Sequence, residues 1–284
     1  MKELTLGVLL CDHVARDLLP VAGDYPDMFS RLFADYTPEG ANVERDGDVV
    51  AMRQRRIGVS PVFHGRDARA TCLFPQHLTR VRLRFYDITV DEYPERLDDC
   101  DGYLTTGSAT SVNDDEPWVA ALEEFIRRLH DEQVKLFAIC FGHQMVAKSL
   151  GGSVDVSERG WGVGVHEVVV ARQEPWMIPE ADSYNIIGSH SEQITKLPAG
   201  SVLLASTPHC PVAMFRCGSL VGIQGHPEFR GAYARALMNS RSDIIPATTR
   251  ATAEESFTIR ADYTLLVSWI LRYVEKELVA QSSS

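Results

Sequence analysis

Three residues of this chain have types and spacing that could do covalent chemistry: Cys140, His226 and Glu228. Cys140 ends the largely apolar run "VKLFAI" (134–139), and a helix-like pattern, "FGHQMVAKSL", begins at once after it. A thiol attacks only as its thiolate, and free cysteine is mostly protonated at neutral pH. A strand that turns sharply into a helix offers a remedy, because the unpaired N–H groups and positive end of the helix favour a thiolate. Gly142 lets the backbone pass closely through such an elbow. The spacing parallels the serine-centred elbow G-x-S-x-G, with Ala138 in place of the first glycine. Standing alone, a cysteine at a strand end is more often a core thiol.

A cysteine nucleophile needs a base, and the base needs an orienting group. "LVGIQGHPEF" (220–229) contains both, 86 positions after Cys140. Residues i and i+2 of an extended segment project to one side, and Pro227 stiffens the segment between them. Glu228 can therefore lie beside the His226 imidazole, fix its tautomer and stabilise the imidazolium. A lone H-x-E is an ordinary surface pair. Beside the Cys140 elbow it completes a nucleophile, a base and an orienter. Chain order separates this set from the α/β-hydrolase class, in which the acid precedes the histidine.

The elements that must position these residues are legible as periodicities. Leu4–Leu10 reads as a strand. Met28, Phe29, Leu32 and Phe33 fall at helical spacing after Pro26. Val81, Leu83 and Phe85 alternate with Arg80, Arg82 and Arg84, which predicts a half-buried strand. "CDGYLTTGS" reads as a short strand and turn, "DDEPWVAALEEFIRRLHDEQ" as an amphipathic helix opened by Pro117, and "FGHQMVAKSL" as a helix stopped by Gly151 and Gly152. Such alternation predicts a mostly parallel sheet with helices on both faces. The second half is richer in strands: "GVHEVVVA", "YNIIGS", "SVLLAS", "PVAMFR" and "LVGIQG". Near the C-terminus, Leu265, Leu266, Trp269, Ile270 and Tyr273 form one helical stripe, read as core packing.

Bulk properties exclude several function classes. The 284 residues, 45% of them hydrophobic, suffice for one large core. Twenty-eight basic against 39 acidic residues leave a net charge of −11, which disfavours general nucleic-acid or anionic-membrane binding. No apolar run approaches the ~20 residues of a transmembrane helix. The first residues, "MKELTLGVLLCDH", read as a strand and not a signal peptide. Six cysteines without a C-x-x-C pair predict a reduced, cytoplasmic protein and no zinc site. Residues 45–84 carry nine arginines, no lysine and three acids, against the acidic trend of the rest. Their central part has no period and reads as a solvated insertion. The alternative is a basic arm that docks an acidic partner or RNA, although the aromatic interleaving of a single-strand platform is missing.

"AICFGHQ" (138–144) and "QGHPEF" (224–229) together resemble the class I glutamine amidotransferases, the triad-type glutaminases. The likeness runs from about Leu4 to Tyr36 and again from about Arg80 onward. It implies an α/β, three-layer, flavodoxin-like fold with an added strand-rich segment. The chain is then one domain, 1–284, with the Arg-rich loop inserted at about 37–79 and C-terminal helices at about 230–281. The resemblance implies a thioester mechanism on Cys140, with His226 as base and Glu228 as its partner, and no cofactor. It assigns the oxyanion hole to backbone N–H groups near Gly107 and Ser108 and to that of Phe141. It also assigns substrate contacts to Gln144, Ser189 and His190, with Glu192 where aspartate is common. Trp161 either lines the pocket or belongs to the core. The implied substrate is glutamine, cleaved to glutamate and ammonia. A separate synthetase subunit is a possible partner, since no P-loop G-x-x-x-x-G-K-[ST] is present. The phrases "ICFGHQ", "SHSEQITKLP" and "CPVAMF" are similar to the stand-alone branch that includes γ-glutamyl peptidases acting on glutathione-type conjugates. A non-catalytic, synthetase-binding subunit is the third reading.

Overall fold

The computed structural model describes residues 2–35, 42–45 and 78–275. In chain order the first elements are β1 (Lys2–Leu10), α1 (Leu19–Ala22), α2 (Tyr25–Ala34), β2 (Asn42–Arg45) and β3 (Leu78–Asp87). Next come β4 (Gly102–Thr105), α3 (Pro117–Asp131), β5 (Leu136–Ile139), α4 (Phe141–Ser149), β6 (Ser153–Val156) and β7 (Gly162–Val170). The rest are β8 (Ser183–His190), β9 (Glu192–Lys196), β10 (Val202–Ser206), β11 (Met214–Cys217), β12 (Leu220–Ile223), α5 (Gly231–Ser240), α6 (Ala247–Ser256) and α7 (Tyr263–Val274). Within the expected insertion at 37–79, residues 42–45 form β2, parallel to β3. Its arginine-rich centre, 46–77, lies outside the described residues.

Ten strands form one sheet in the order β2-β3-β1-β4-β5-β12-β11-β10-β7-β8. Pairing is parallel from β2 through β12 and antiparallel from β12 through β8. The parallel half is the half whose sequence alternates strand and helix. The antiparallel half is the strand-rich second part of the chain, where short connections suffice.

Both faces of the parallel half are apolar, as covered sheets require. Along β1, Leu4, Leu6 and Val8 enter one core and Leu9 the other. The first core takes Met28, Phe29, Leu32 and Phe33 of α2 and Leu266, Trp269, Ile270 and Tyr273 of α7. The second takes Leu122, Phe125, Ile126 and Leu129 of α3 with Met145 and Val146 of α4. Helices therefore cover both faces, and the α7 stripe is core. Each such side chain contributes about 1.5–3 kcal/mol by burial. The Trp269 indole N–H also donates to the Pro179 carbonyl at 3.0 Å.

Strands β6 and β9 form a separate antiparallel pair. Their sequences, "SVDV" and "EQITK", bury little besides Val154, Gln193 and Ile194, so they carry no strong period-two signal. Among the described residues, no helix is long and apolar enough to cross a membrane.

Candidate active site

Parallel register brings the site together. Ile139 of β5 pairs with Ile223 of β12, so Cys140 and Gln224 leave the sheet side by side. Thr106–Ser108 leave the neighbouring β4, and Cys11–His13 leave β1. All four exits lie at the C-terminal edge of the parallel strands, where open α/β sheets bind ligands.

Cys140 is the N-cap of α4, with φ 49° and ψ −100°. A non-glycine residue held there costs about 1–3 kcal/mol and persists only when its surroundings enforce it. Two bonds do so: Cys140 N–H donates to the Ile223 carbonyl at 2.9 Å, and the Cys140 carbonyl accepts from Gln144 N–H at 3.0 Å. The thiol thus stands over the first N–H groups of α4, which lack intrahelical partners. Gly142 is required by close approach. A methyl there would land on Thr105 Oγ1, which accepts the Ile139 N–H at 2.9 Å.

His226 is fixed at three points. Its N–H donates to the Ile187 carbonyl at 2.8 Å, its ring stacks on Phe229 with centroids 3.9 Å apart, and Nδ1 lies 2.8 Å from Glu228 Oε1. Both side chains are almost wholly buried. An Nδ1–H donated to the carboxylate leaves the other ring nitrogen for Cys140. Burial alone would lower the imidazole pKa. The negative charges of Cys140 and Glu228, and hydrogen bonds to both, outweigh burial and push it up to about 10. The site therefore favours the protonated imidazole of His226. Gly107 closes the group: a methyl on it would come within 2.7 Å of His226 Cε1 and 3.6 Å of Cys140 Cβ.

Cys140 and His226 open into a cleft of about 240 Å³, walled by Asp12, His13, Tyr25, Ser108, Ser189, Tyr233 and Arg241 among others. His13 bridges Asp24 at 2.8 Å and Asp87 at 2.7 Å, and these bonds raise its pKa. Asp12 Oδ2 accepts the Ala109 N–H at 2.8 Å and so ties the β4 turn to the end of β1. Arg241 Nη1 donates to Ser189 Oγ at 3.5 Å, with Trp161 5.9 Å from the guanidinium. Trp161 is half-buried beside Met238 and supports Arg241.

The residues expected around the cysteine divide into two groups. Gly107, Ser108 and Ser189 stand at the cleft with Cys140 and His226, and Phe141 supplies the first N–H of α4 while its ring packs on Trp118. His190, Gln144 and Glu192 stand elsewhere. His190 follows Ser189 on β8 and so faces the opposite way. Its Nδ1 lies 3.0 Å from the Glu192 carbonyl, and its ring packs with His209 around a small cavity of about 20 Å³ that His166 also lines. Burial and its histidine neighbours push its pKa down to about 3. Among the described residues, no three such side chains stand at metal-ligating spacing. Gln144 lies beneath the cleft, with Nε2 bonded to the Glu192 carbonyl at 2.7 Å and to Gln224 Oε1 at 3.2 Å. Glu192 Oε1 accepts from Ser111 Oγ at 2.9 Å. Sequence reasoning missed Asp12, His13, Tyr25, Tyr233, Arg241 and Gln224. The spacing of Tyr233, Leu237 and Arg241, one helix face at i, i+4 and i+8, was the available signal for α5.

Comparison with known proteins accords with this geometry. γ-Glutamyl peptidase 3 of Arabidopsis thaliana is 31% identical over 147 residues, which cover 49% of this chain and 59% of that protein. The chain thus spans less than two thirds of the length of the peptidases it matches. The glutamine-hydrolysing GMP synthase of Pseudomonas aeruginosa is 34% identical over 137 residues, 45% of this chain and 25% of that protein. A glutamine amidotransferase from Thermotoga maritima superposes with a TM-score of 0.58 at 22% identity, over 69% of this chain and 88% of that one, and shares the fold. The family model for class-I glutamine amidotransferases matches residues 76–240, more than half of the sequence, and the chain belongs to that family.

Proposed function

We propose that this chain hydrolyses the side-chain amide of a γ-glutamyl compound through a thioester on Cys140. The observation that carries the reading is the strained Cys140 elbow, standing at the head of α4 beside a buried His226–Glu228 pair. The thiolate attacks the γ-carbonyl carbon, and the electron pair of the C=O bond moves onto oxygen. Backbone N–H groups of Phe141 and the Gly107–Ser108 turn are the donors for that oxyanion. Collapse breaks the C–N bond, and His226 gives its proton to the departing nitrogen. Neutral His226, held by Glu228, then takes a proton from water as the water attacks the thioester. The C–S bond breaks, glutamate leaves, and the thiolate–imidazolium pair is restored. Arg241, with Ser189, takes the α-carboxylate of the substrate; the support for this is that both wall the cleft beside Cys140 and bond to each other.

Glutamine is the leading substrate, with ammonia released or handed to a synthetase on another chain. The names of the γ-glutamyl peptidase relatives favour a second reading, a γ-glutamyl peptide of the glutathione type. Purified protein incubated with glutamine, glutathione and γ-glutamyl dipeptides separates the two. Ammonia from glutamine marks the first, and preferential cleavage of the peptides marks the second. A Cys140→Ala variant that keeps full activity on either would overturn the thioester on Cys140, and a wild type that cleaves none of these compounds would leave the non-catalytic reading.

A further inference from the structure

The thiol has a second polar neighbour besides the imidazole. Gln224 Nε2 lies 3.6 Å from Cys140 Sγ, and Gln224 is 2% exposed. An amide can present either its NH₂ or its oxygen to a neighbour, so the orientation needs a cause. Here the cause is a chain of buried contacts. The Glu192 backbone carbonyl can only accept, so it holds Gln144 with Nε2 inward, at 2.7 Å. The same Nε2 donates to Gln224 Oε1 at 3.2 Å. With its oxygen taken, Gln224 can offer only its NH₂ to the sulfur.

We propose that Gln224 is a catalytic donor that stabilises the Cys140 thiolate, and that Gln144 is a positioning residue that locks the polarity of the Gln224 amide. The sequence places both: Gln144 lies one helical turn after Cys140, and Gln224 directly beside it across the β5–β12 pair. Hydrogen bonds to an ionised partner are about twice as strong as neutral ones, and the effect is larger out of water. The pair also explains why Gln144 stands away from the cleft although it belongs to the nucleophile motif. The inference rests on the reading of Cys140 as the nucleophile.

The test reads the thiolate without substrate. The rate at which iodoacetamide alkylates Cys140 is followed from pH 5 to 10 by peptide mass spectrometry, which separates Cys140 from the other cysteines. Wild type is compared with Gln224→Met, Gln224→Glu and Gln144→Met. The charged and titratable groups around the sulfur, His226, Glu228, Tyr25 and Cys210, are common to all four proteins. Removing the donor in Gln224→Met moves the midpoint of alkylation up by about one pH unit, roughly tenfold less thiolate below it. Gln224→Glu, which sets a carboxylate against the sulfur, moves it further. Gln144→Met, which frees the Gln224 amide to turn, gives a smaller shift in the same direction. A loss of packing alone would lower the unfolding temperature and leave the midpoint in place. Superposable curves for wild type and the folded variants would overturn the proposal. If Gln224→Met fails to fold, Gln144→Met decides alone. Coincident curves with γ-glutamyl hydrolysis intact refute the glutamine pair only, while shifted curves with no hydrolysis refute the proposed function only.

Discussion

Acid should unfold this protein from inside the second core and the neighbouring histidine cavity. His143, on the first turn of α4, is fully buried. Its Nε2 lies 3.0 Å from the Val212 carbonyl, and its Nδ1, against Gly222, has no hydrogen-bond partner among the described residues. Burial disfavours a second proton more than the neighbouring backbone of Val212 and Gly222 favours it, and pushes the pKa down to about 4. His166 is likewise held down to about 4, and His190 to about 3. In the unfolded chain each titrates near 6.5. The unfolded state therefore takes up protons first, and stability is full above pH 6.5 and lost as pH falls toward 4. Between pH 6.5 and 5 each of the three contributes a loss of roughly 1.5 kcal/mol, about 4–5 kcal/mol together. That is a large share of the 5–15 kcal/mol typical of a domain. His209, also lowered, acts in the same direction. His13 and His226, whose pKa values are raised, act in the opposite direction and offset a small part of this loss, equally in wild type and variant. Urea unfolding followed by tryptophan fluorescence at pH 6.5, 5.75 and 5 measures the loss. His143→Leu starts from a lower stability, because the Val212 carbonyl loses its donor, but its loss over the same interval is smaller by about 1.5 kcal/mol. Equal losses in wild type and variant, at equal m-values, would refute the reasoning.

Three further outcomes follow from the site. Glu228→Gln keeps the shape but removes one of the two charges, after that of Cys140, that hold His226 protonated, and kcat on the hydrolysed γ-glutamyl amide falls about 10²-fold or more with KM little changed; an unchanged kcat would show that Glu228 is only a packing residue. Gly142→Ala drives a methyl into Thr105, so the fold loses about 1–3 kcal/mol, read as a lower urea midpoint. Arg241→Met raises KM tenfold or more for substrates with a free α-carboxylate and leaves kcat within about twofold; equal KM values would remove Arg241 from substrate binding.

Much of this was legible in the sequence, for reasons that differ by element. The strand–helix alternation up to Ser149 was readable because buried parallel strands and amphipathic helices each carry their own period. Cys140, His226 and Glu228 were readable because each sits in a short local motif whose geometry is set by its neighbours. The facing of Ser189 against His190 was also available, since adjacent strand residues point to opposite sides, but the motif drew both toward the cleft. Gln144 and Gln224 lie 80 positions apart and meet only through β5–β12 pairing. Asp12 and His13 reach the cleft only because β1 pairs with β4. Such contacts follow from topology, which no local pattern contains. The β6–β9 ribbon was silent because its strands are short and mostly exposed.

The central claim is that Cys140 carries the γ-glutamyl group. Acid quenching of the protein during turnover of glutamine or a γ-glutamyl dipeptide, followed by peptide mass spectrometry, tests it most directly. The account predicts a glutamyl thioester on the peptide containing Cys140, absent from Cys140→Ala, which releases no glutamate. Turnover with no adduct on that peptide, undiminished in Cys140→Ala, would contradict it.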